Sequence, residues 1–306
     1  MQKFDGHPPK YIALTLCAGC DKMRLVNSEI NVRAARAEDK DAILAFCQNT
    51  FHWGDYIAEA WDGWLADAGG QMFIAIAEAK PVGLIHAKIL EGGVGWLEGM
   101  RVHPDFRRHG VSTALDRAAH RFARSRDCRV ARLATSEKNL AAQKTIAAQG
   151  YTIVARFGEW NAPPAPGDCA RVATLDDAEK ILEQWRGFPA RAAGNVLLPN
   201  RDWRWTYLTR TRVRAQIESA EVRALENGWM FLLAYDEGDW HSLVLHTLVG
   251  DADALGALAR AARAEADYRG YAMVEANVAD DATINHALSR AGFTRGGVML
   301  IAEQIL

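Results

Sequence analysis

The sequence predicts an α/β protein built as two tandem, similar domains, each a mixed central sheet flanked by helices. Three observations predict it. The chain has 306 residues, which suits about two domains. The segment Asn161-Ala-Pro-Pro-Ala-Pro-Gly-Asp168 can continue neither a strand ladder nor a helix, and it divides the chain into halves of similar length. The halves also echo each other. Each opens with a short strand and an acidic helix start, at Val32–Asp39 and Ala170–Asp177. Each closes with a helix ending in Gly plus an aromatic before a strand, at Gln149-Gly150-Tyr151 and Ala291-Gly292-Phe293. The expected divisions are an N-terminal extension over 1–28, a first, catalytic domain over 29–160, a linker over 161–168 and a degenerate second domain over 169–306.

The elements of the first half follow from local pattern. Ile30–Arg36 reads as a strand, and Asp39–Thr50 and Ile57–Ala66 as helices. Met72–Glu78 and Val82–Leu90 read as adjacent strands joined by a turn at Ala79-Lys80-Pro81. Gly95–His103 is a strand. Val111–Arg124 is an amphipathic helix, with Val111, Ala114, Leu115, Ala118, Ala119 and Phe122 on one face. Arg129–Ala134 is a strand, Asn139–Ala148 a helix and Thr152–Phe157 a strand. In the second half, His241–Leu248 reads as a strand leading through Val249-Gly250-Asp251-Ala-Asp253 into a helix to about Ala266.

Composition excludes several classes. Lys and Arg number 36 against 38 Asp and Glu, a net charge of −2, which gives no global attraction to nucleic acid. Hydrophobic residues at 49% and charged residues at 24% fit a folded soluble protein. No apolar run reaches the length of a membrane span, and Tyr11–Ala18 is too short for a signal peptide, so a cytoplasmic protein without membrane contact is expected. Five scattered cysteines fit a reducing compartment. Cys17 and Cys20 form a CxxC without the second pair a zinc site needs, and they read as incidental thiols, so no metal is expected. Met23 offers an alternative start, which would leave residues 1–22 outside the fold.

The chemistry is carried by Trp96-Leu-Glu-Gly-Met-Arg-Val-His-Pro-Asp-Phe-Arg-Arg-His-Gly-Val-Ser-Thr-Ala-Leu115. A strand runs into His103-Pro104, then a basic loop, then Gly110 at a helix start. The unpaired N–H groups of a first helical turn and the helix dipole favour an anion there. Gly110 lets a phosphate approach the backbone, and Arg107, Arg108 and His109 add positive potential. The plainer reading is a capped surface helix behind a solvated basic loop.

This segment resembles the acyl-CoA loop of the GNAT superfamily of N-acetyltransferases, Arg/Gln-x-x-Gly-x-Gly/Ala after a strand ending in Val-x-Pro. Here it stands as Arg107-Arg108-His109-Gly110-Val111-Ser112 after Val102-His103-Pro104. Ser112 departs from the Gly/Ala preference but is small. Asn139, Ala142, Gly150 and Tyr151 match the family's Asn-x-x-Ala ahead of a terminal Gly-Phe/Tyr. The resemblance implies acetyl-CoA as cosubstrate. It implies that Arg108 to Thr113, Val111 and Ser112 among them, cradle the pyrophosphate. The strand around Met100, Arg101 and Val102 would hold the pantetheine arm, with the Met100 N–H stabilising the oxyanion and Asn139 touching the cofactor. Glu98, two residues before Met100, is expected on the same face, either as general base or as a carboxylate paired with an Arg. Ile146 stands where the family often has the Tyr that protonates the leaving thiolate.

The connection Thr50-Phe-His-Trp-Gly-Asp-Tyr-Ile57 offers His52, Trp53, Asp55 and Tyr56 to the acceptor. Asp55 holds an ammonium there, beside a cation–π wall from Trp53 or Tyr56, or else Phe51 and Trp53 are core and Asp55 caps the next helix. With Leu97–Val102 and Val130–Leu133, this loop also looks like the histidine N-acetyltransferase group.

The second half lacks the site. Asp251 and Asp253 stand where phosphates would sit and would repel CoA, and Trp185, Trp203, Trp205, Trp229 and Trp240 read as core or interface. The expected function is acetyl transfer to a primary amine of a small molecule or peptide by direct attack in a ternary complex. The rival is a non-catalytic acyl-CoA-binding regulator. The sequence does not give the oligomeric state, although exposed sheet edges in such a fold would allow a homodimer.

Overall fold

The computed structural model describes residues 29–48, 55–237 and 240–306. The expectations for the CxxC, the alternative start, Phe51, His52 and Trp53 lie outside these residues. In the first half, β1 (Asn31–Ala34) leads through a 3-10 turn into α1 (Lys40–Cys47), then α2 (Ile57–Leu65). The hairpin strands β2 (Gly70–Ala77), β3 (Lys80–Leu90) and β4 (Val94–Val102) follow, then α3 (Val111–Ser125), β5 (Val130–Ser136), α4 (Leu140–Ala148) and β6 (Thr152–Ala162).

The second half runs β7 (Arg171–Val172), α5 (Ala178–Gly187), the short hairpin β8 (Leu197–Pro199) and β9 (Trp205–Tyr207), and α6 (Arg210–Glu218). It continues with β10 (Val222–Leu225), β11 (Gly228–Glu237), β12 (Trp240–Gly250), α7 (Ala252–Arg269), β13 (Val274–Ala279), α8 (Ala282–Arg290) and β14 (Thr294–Ile305). Among the described residues no helix is long and apolar enough to cross a membrane.

The central sheets of the two halves are joined. One twelve-stranded sheet runs β1-β2-β3-β4-β5-β14-β6-β13-β12-β11-β10-β7. Neighbours are antiparallel except β4–β5 and β12–β13, which are parallel. Each half lends its last strand: β14 lies between β5 and β6, and β6 lies between β14 and β13. This exchange corrects the strand expected over Thr152–Phe157. It runs five residues further, because Phe157–Ala162 pair with β13 on one side and Phe157–Asn161 with β14 on the other. The predicted linker therefore loses Asn161 and Ala162 to a strand. The rest is tied to α7, where the Arg263 guanidinium donates to the Pro163 carbonyl at 2.8 Å.

The first hairpin turn is also corrected. It is Glu78-Ala79, both at positive φ (49° and 62°), and Lys80 and Pro81 already belong to β3. Two left-handed residues give the primed turn whose twist matches that of the strands.

Period-two patterning sorts the first sheet's two faces. Met72, Ile74 and Leu84 pack with Ile43, Cys47, Ile57 and Trp61 of α1 and α2. Ala75, Ala77, Ile85, Ala87 and Leu97 pack with Val111, Leu115 and Ala119 of α3. The residues predicted for the α3 stripe bury as expected at Val111, Leu115, Ala118 and Ala119. In the second half, Trp185, Trp205 and Trp229 are buried, and Trp203 is partly buried against the same core.

Candidate active site

The site begins where β4 and β5 separate. Their parallel pairing is confined to Val94–Trp96 against Val130–Arg132. Beyond it, β5 pairs only with β14, on its other side, while β4 stays with β3. A wedge is left between the end of β4 and the end of β5. Gly99 sits in β4 at φ +69°, a conformation that costs glycine nothing, and the register with β3 slips between Leu84 and His86. The bulge controls which groups face the wedge. The His103 N–H donates to the Val82 carbonyl at 2.8 Å. By the alternation of backbone groups, the N–H groups of Val102 and Met100 turn away from β3 toward the wedge.

The same bulge corrects the expected placement of Glu98. Glu98 lies opposite His86 and Arg101 opposite Leu84. Leu84 and His86 share a face, so Glu98 shares that face with Arg101, on the side of α1 and α2. Met100 packs instead with the cluster under α3. The extra residue of the bulge inverts the alternation.

At the far end of the wedge, α3 starts without a side-chain cap. Gly110 is its first flanking residue, at φ +83°, and a Cβ there would meet nothing within 4 Å. Arg108 is also left-handed, at φ +65°. Arg107, Arg108 and His109 are exposed, and neither arginine pairs with a carboxylate among the described residues. The first-turn N–H groups at Val111, Ser112 and Thr113 thus front open space in a positive field. A thioester arm with a pyrophosphate fits this set: two N–H groups along a wedge, then an uncapped helix end. Asn139 caps α4, accepting from the Ala142 N–H at 3.1 Å.

On the acceptor face the expected carboxylates are already engaged. Asp55 receives a two-pronged bond from Arg101 (2.7 and 3.0 Å) and accepts the Ile57 N–H at 3.1 Å. Arg101 lies 5.1 Å over the Tyr56 ring. The free ammonium-holding carboxylate expected at Asp55 is corrected to a neutralised anchor and helix cap, and the side chain of Arg101 serves Asp55.

Glu98 is held more completely. Its Oε1 receives His86 Nδ1 at 2.9 Å and Arg204 Nη2 at 2.8 Å. Its Oε2 receives the Trp96 indole N–H at 3.0 Å and Arg204 Nε at 3.2 Å. A carboxylate offers about four acceptor positions, and all are filled. Burial opposes the charge, yet the hydrogen bonds from His86 and Arg204 hold the Glu98 carboxyl below its ordinary value. The paired-carboxylate alternative for Glu98 describes this geometry. Behind it, His86 is fully buried and stacks on Trp64 (4.8 Å, 7°). Its Nε2 lies 3.5 Å from Asp67, which Lys88 neutralises.

Ile146 is buried in the core. The nearby Tyr151 hydroxyl donates to Asp116 at 2.9 Å, and burial together with Asp116 raises its pKa above the usual phenol value. In the second half, Asp251 caps α7 through the Ala254 N–H at 2.9 Å. The chain's own carboxylate fills the anion position that stays open at α3. Arg204, His86 and Asp67 were missed by sequence reasoning. Arg204 lies 106 residues from Glu98 and carries no local motif. His86 had a signal, since a histidine between the apolar Ile85 and Ala87 of a buried strand must find polar partners.

The match to known proteins follows this geometry. Residues 41–151 match the model of the acetyltransferase (GNAT) family. The aminoglycoside N(6')-acetyltransferase type 1 of Klebsiella aerogenes is 32% identical over 107 residues, 33% of this chain and 70% of that protein. The histidine N-acetyltransferase of Oreochromis niloticus is 27% identical over 137 residues, 42% of this chain and 41% of that protein, so the match spans well under half of that relative. In fold, the GCN5-related N-acetyltransferase from Sphaerobacter thermophilus superposes with a TM-score of 0.62 at 15% identity, covering 90% of this chain and 95% of its own. The chain belongs to the GNAT acetyltransferase family, the N-acetyltransferases that use acetyl-CoA as cosubstrate.

Proposed function

We propose that the protein transfers the acetyl group of acetyl-CoA to a primary amine of a small molecule or peptide, by direct attack in a ternary complex in the first half. The observation that carries this reading is the bulge at Gly99, which turns the N–H groups of Met100 and Val102 into a wedge ending at the uncapped start of α3. The Met100 N–H donates to the thioester oxygen as it becomes an oxyanion, an interaction worth about 3 kcal/mol in comparable sites. The Val102 N–H fixes the arm. The first turn of α3, with Arg107 and Arg108, takes the pyrophosphate. Asn139, at the start of α4, contacts the cosubstrate alongside its capping role.

The acceptor approaches on the face of Glu98, Arg101 and Tyr56. With its acceptor positions filled, Glu98 acts as a fixed negative charge beside the attacking nitrogen, which becomes positive on attack, and the proton passes to water. The CoA thiolate leaves without an acid, consistent with Ile146. A mass-spectrometric screen of purified protein and acetyl-CoA against amino acids including histidine, polyamines, aminoglycosides and short peptides tests the reading. One acetylated product is expected. Tight acetyl-CoA binding with no product from any amine would favour a non-catalytic acyl-CoA-binding regulator instead.

A further inference from the structure

The second half reaches into the first half's site through one side chain. Arg204 precedes β9 in the hairpin between α5 and α6. Its side chain is 13% exposed and forks onto both oxygens of Glu98, and its Nη1 donates to Asp202 at 3.0 Å. The hairpin that carries it is stiff. Asn200 Oδ1 accepts the backbone N–H groups of Asp202 and Arg204 at 3.0 and 2.9 Å, and the Asn200 N–H returns to the Arg204 carbonyl at 3.0 Å. Arg212 of α6 donates to the Leu198 carbonyl at 3.2 Å, to the Thr206 hydroxyl at 2.8 Å and to the Pro199 carbonyl. On the far side, Trp205 is fully buried and stacks on Trp96 (5.9 Å, 21°), and the Tyr207 hydroxyl accepts from Arg132 at 2.6 Å. The neighbours of Arg204 are thus pinned: Asp202 to Asn200, Thr206 to α6, Trp205 to β4 and Tyr207 to β5.

Glu98 immediately precedes Gly99, the residue whose bulge aims the Met100 N–H. A fork on Glu98 therefore holds the strand at the point where the oxyanion donor is set. The titratable and charged groups around Glu98 are His86 from β3, Tyr56 ahead of α2 and Arg204 from the hairpin, with Asp67 and Lys88 behind the first and Asp202 behind the last.

Resting on the acetyl-transfer reading, we propose that Arg204 is a positioning residue of the first half's site, supplied by the second half, which keeps Glu98 ionised and in place beside the attacking amine. A carboxylate this enclosed, once stripped of its guanidinium, takes up a proton more readily. The second half then has a role without binding cosubstrate: its hairpin completes the first site.

The test compares full-length wild type with R204M and R204K, each checked for a cooperative thermal transition well above the assay temperature. Acetyl-CoA affinity, set at α3, stays within about twofold. For R204M, the ratio of wild-type to variant kcat/KM for the acceptor is expected to grow by about tenfold as pH falls, because Glu98 without its guanidinium takes up a proton more readily. R204K keeps the charge and restores most of the pH profile. A ratio independent of pH, as a merely structural role predicts, would overturn the proposal. Titration of the Glu98 carboxyl by carbon-13 NMR needs no turnover: its midpoint is expected to rise in R204M, and an unmoved midpoint overturns the proposal. A wild type that acetylates no amine sinks the acetyl-transfer reading, and the NMR arm still decides whether Arg204 holds Glu98 ionised.

Discussion

Replacing Gly99 by alanine strikes the feature on which the site depends. Two costs add. The residue sits at φ +69°, where an L side chain costs about 1–2 kcal/mol. A Cβ there would stand 2.4 and 2.5 Å from two ring carbons of Trp64 and 3.3 Å from Ile57 Cδ1. Trp64 cannot simply withdraw, because its ring is stacked on the buried His86. Overpacking of this kind costs about 1–3 kcal/mol. The stiffer unfolded chain returns about 0.4–1 kcal/mol. The net expectation is a loss of roughly 2–4 kcal/mol, a large share of a typical domain's stability. Urea unfolding reads it as a lower midpoint at unchanged slope. If the strand relieves the clash by flattening the bulge, the Met100 N–H leaves the wedge and kcat falls by about a hundredfold, while acetyl-CoA affinity, set at α3, changes little. A G99A protein within 0.5 kcal/mol of wild type (about the scatter of a neutral surface substitution) and with unchanged kcat would refute the reasoning.

Two further substitutions probe the anion site and a buried carboxyl. G110E is expected to fold at a cost of about 1–2 kcal/mol for a side chain at φ +83° and to lose acetyl-CoA binding in calorimetry, because it places a negative charge where the pyrophosphate would lie; G110A bears the same backbone cost without the charge and loses much less affinity. Wild-type affinity in G110E would refute the site. Burial raises the Asp116 carboxyl from 3.8 to about 6, despite its hydrogen bond from Tyr151. The folded chain then binds a proton that the unfolded chain has released between about pH 4 and 6, so this group's contribution is present below 3.8 and is lost as pH rises through about 6. The gap is worth roughly 3 kcal/mol. D116N keeps an acceptor for Tyr151 and does not titrate, so its stability relative to wild type should climb from pH 4 to pH 7 and then level. His120, which burial holds down to about 4, lies 3.5 Å from Asp116 and shares the Tyr151 hydroxyl with it, so the comparison is read above pH 5, where His120 is neutral in the wild type. Parallel stability–pH curves would exclude the assignment.

Much of the site was legible because its signals are local. A glycine between a basic loop and an apolar helical stripe marks Gly110 and the first turn of α3, since capping and dipole effects act within a few residues. Strand alternation was legible too, but it misplaced Glu98. A one-residue bulge at Gly99 reverses the faces, and nothing within β4 alone announces the slip; it exists only as a register against β3. Asp55 was readable as either a substrate carboxylate or a cap, and Arg101, 46 residues away, decided it.

The sequence by itself determined the two-part plan, the order of helices and strands, the glycine that opens α3 behind a basic loop and the aspartate that opens α7. These rest on periodicity, turn chemistry and charge among near neighbours. Tertiary structure alone decided how the halves join. β6 and β14 exchange places because each can satisfy its backbone on both edges only between strands of the other half, a long-range pairing that no local pattern encodes. It also decided that Glu98 is held by Arg204. An ion pair spanning 106 residues is selected by the folded geometry that brings the hairpin onto β4, and neither residue carries a mark of the other in its own stretch of chain.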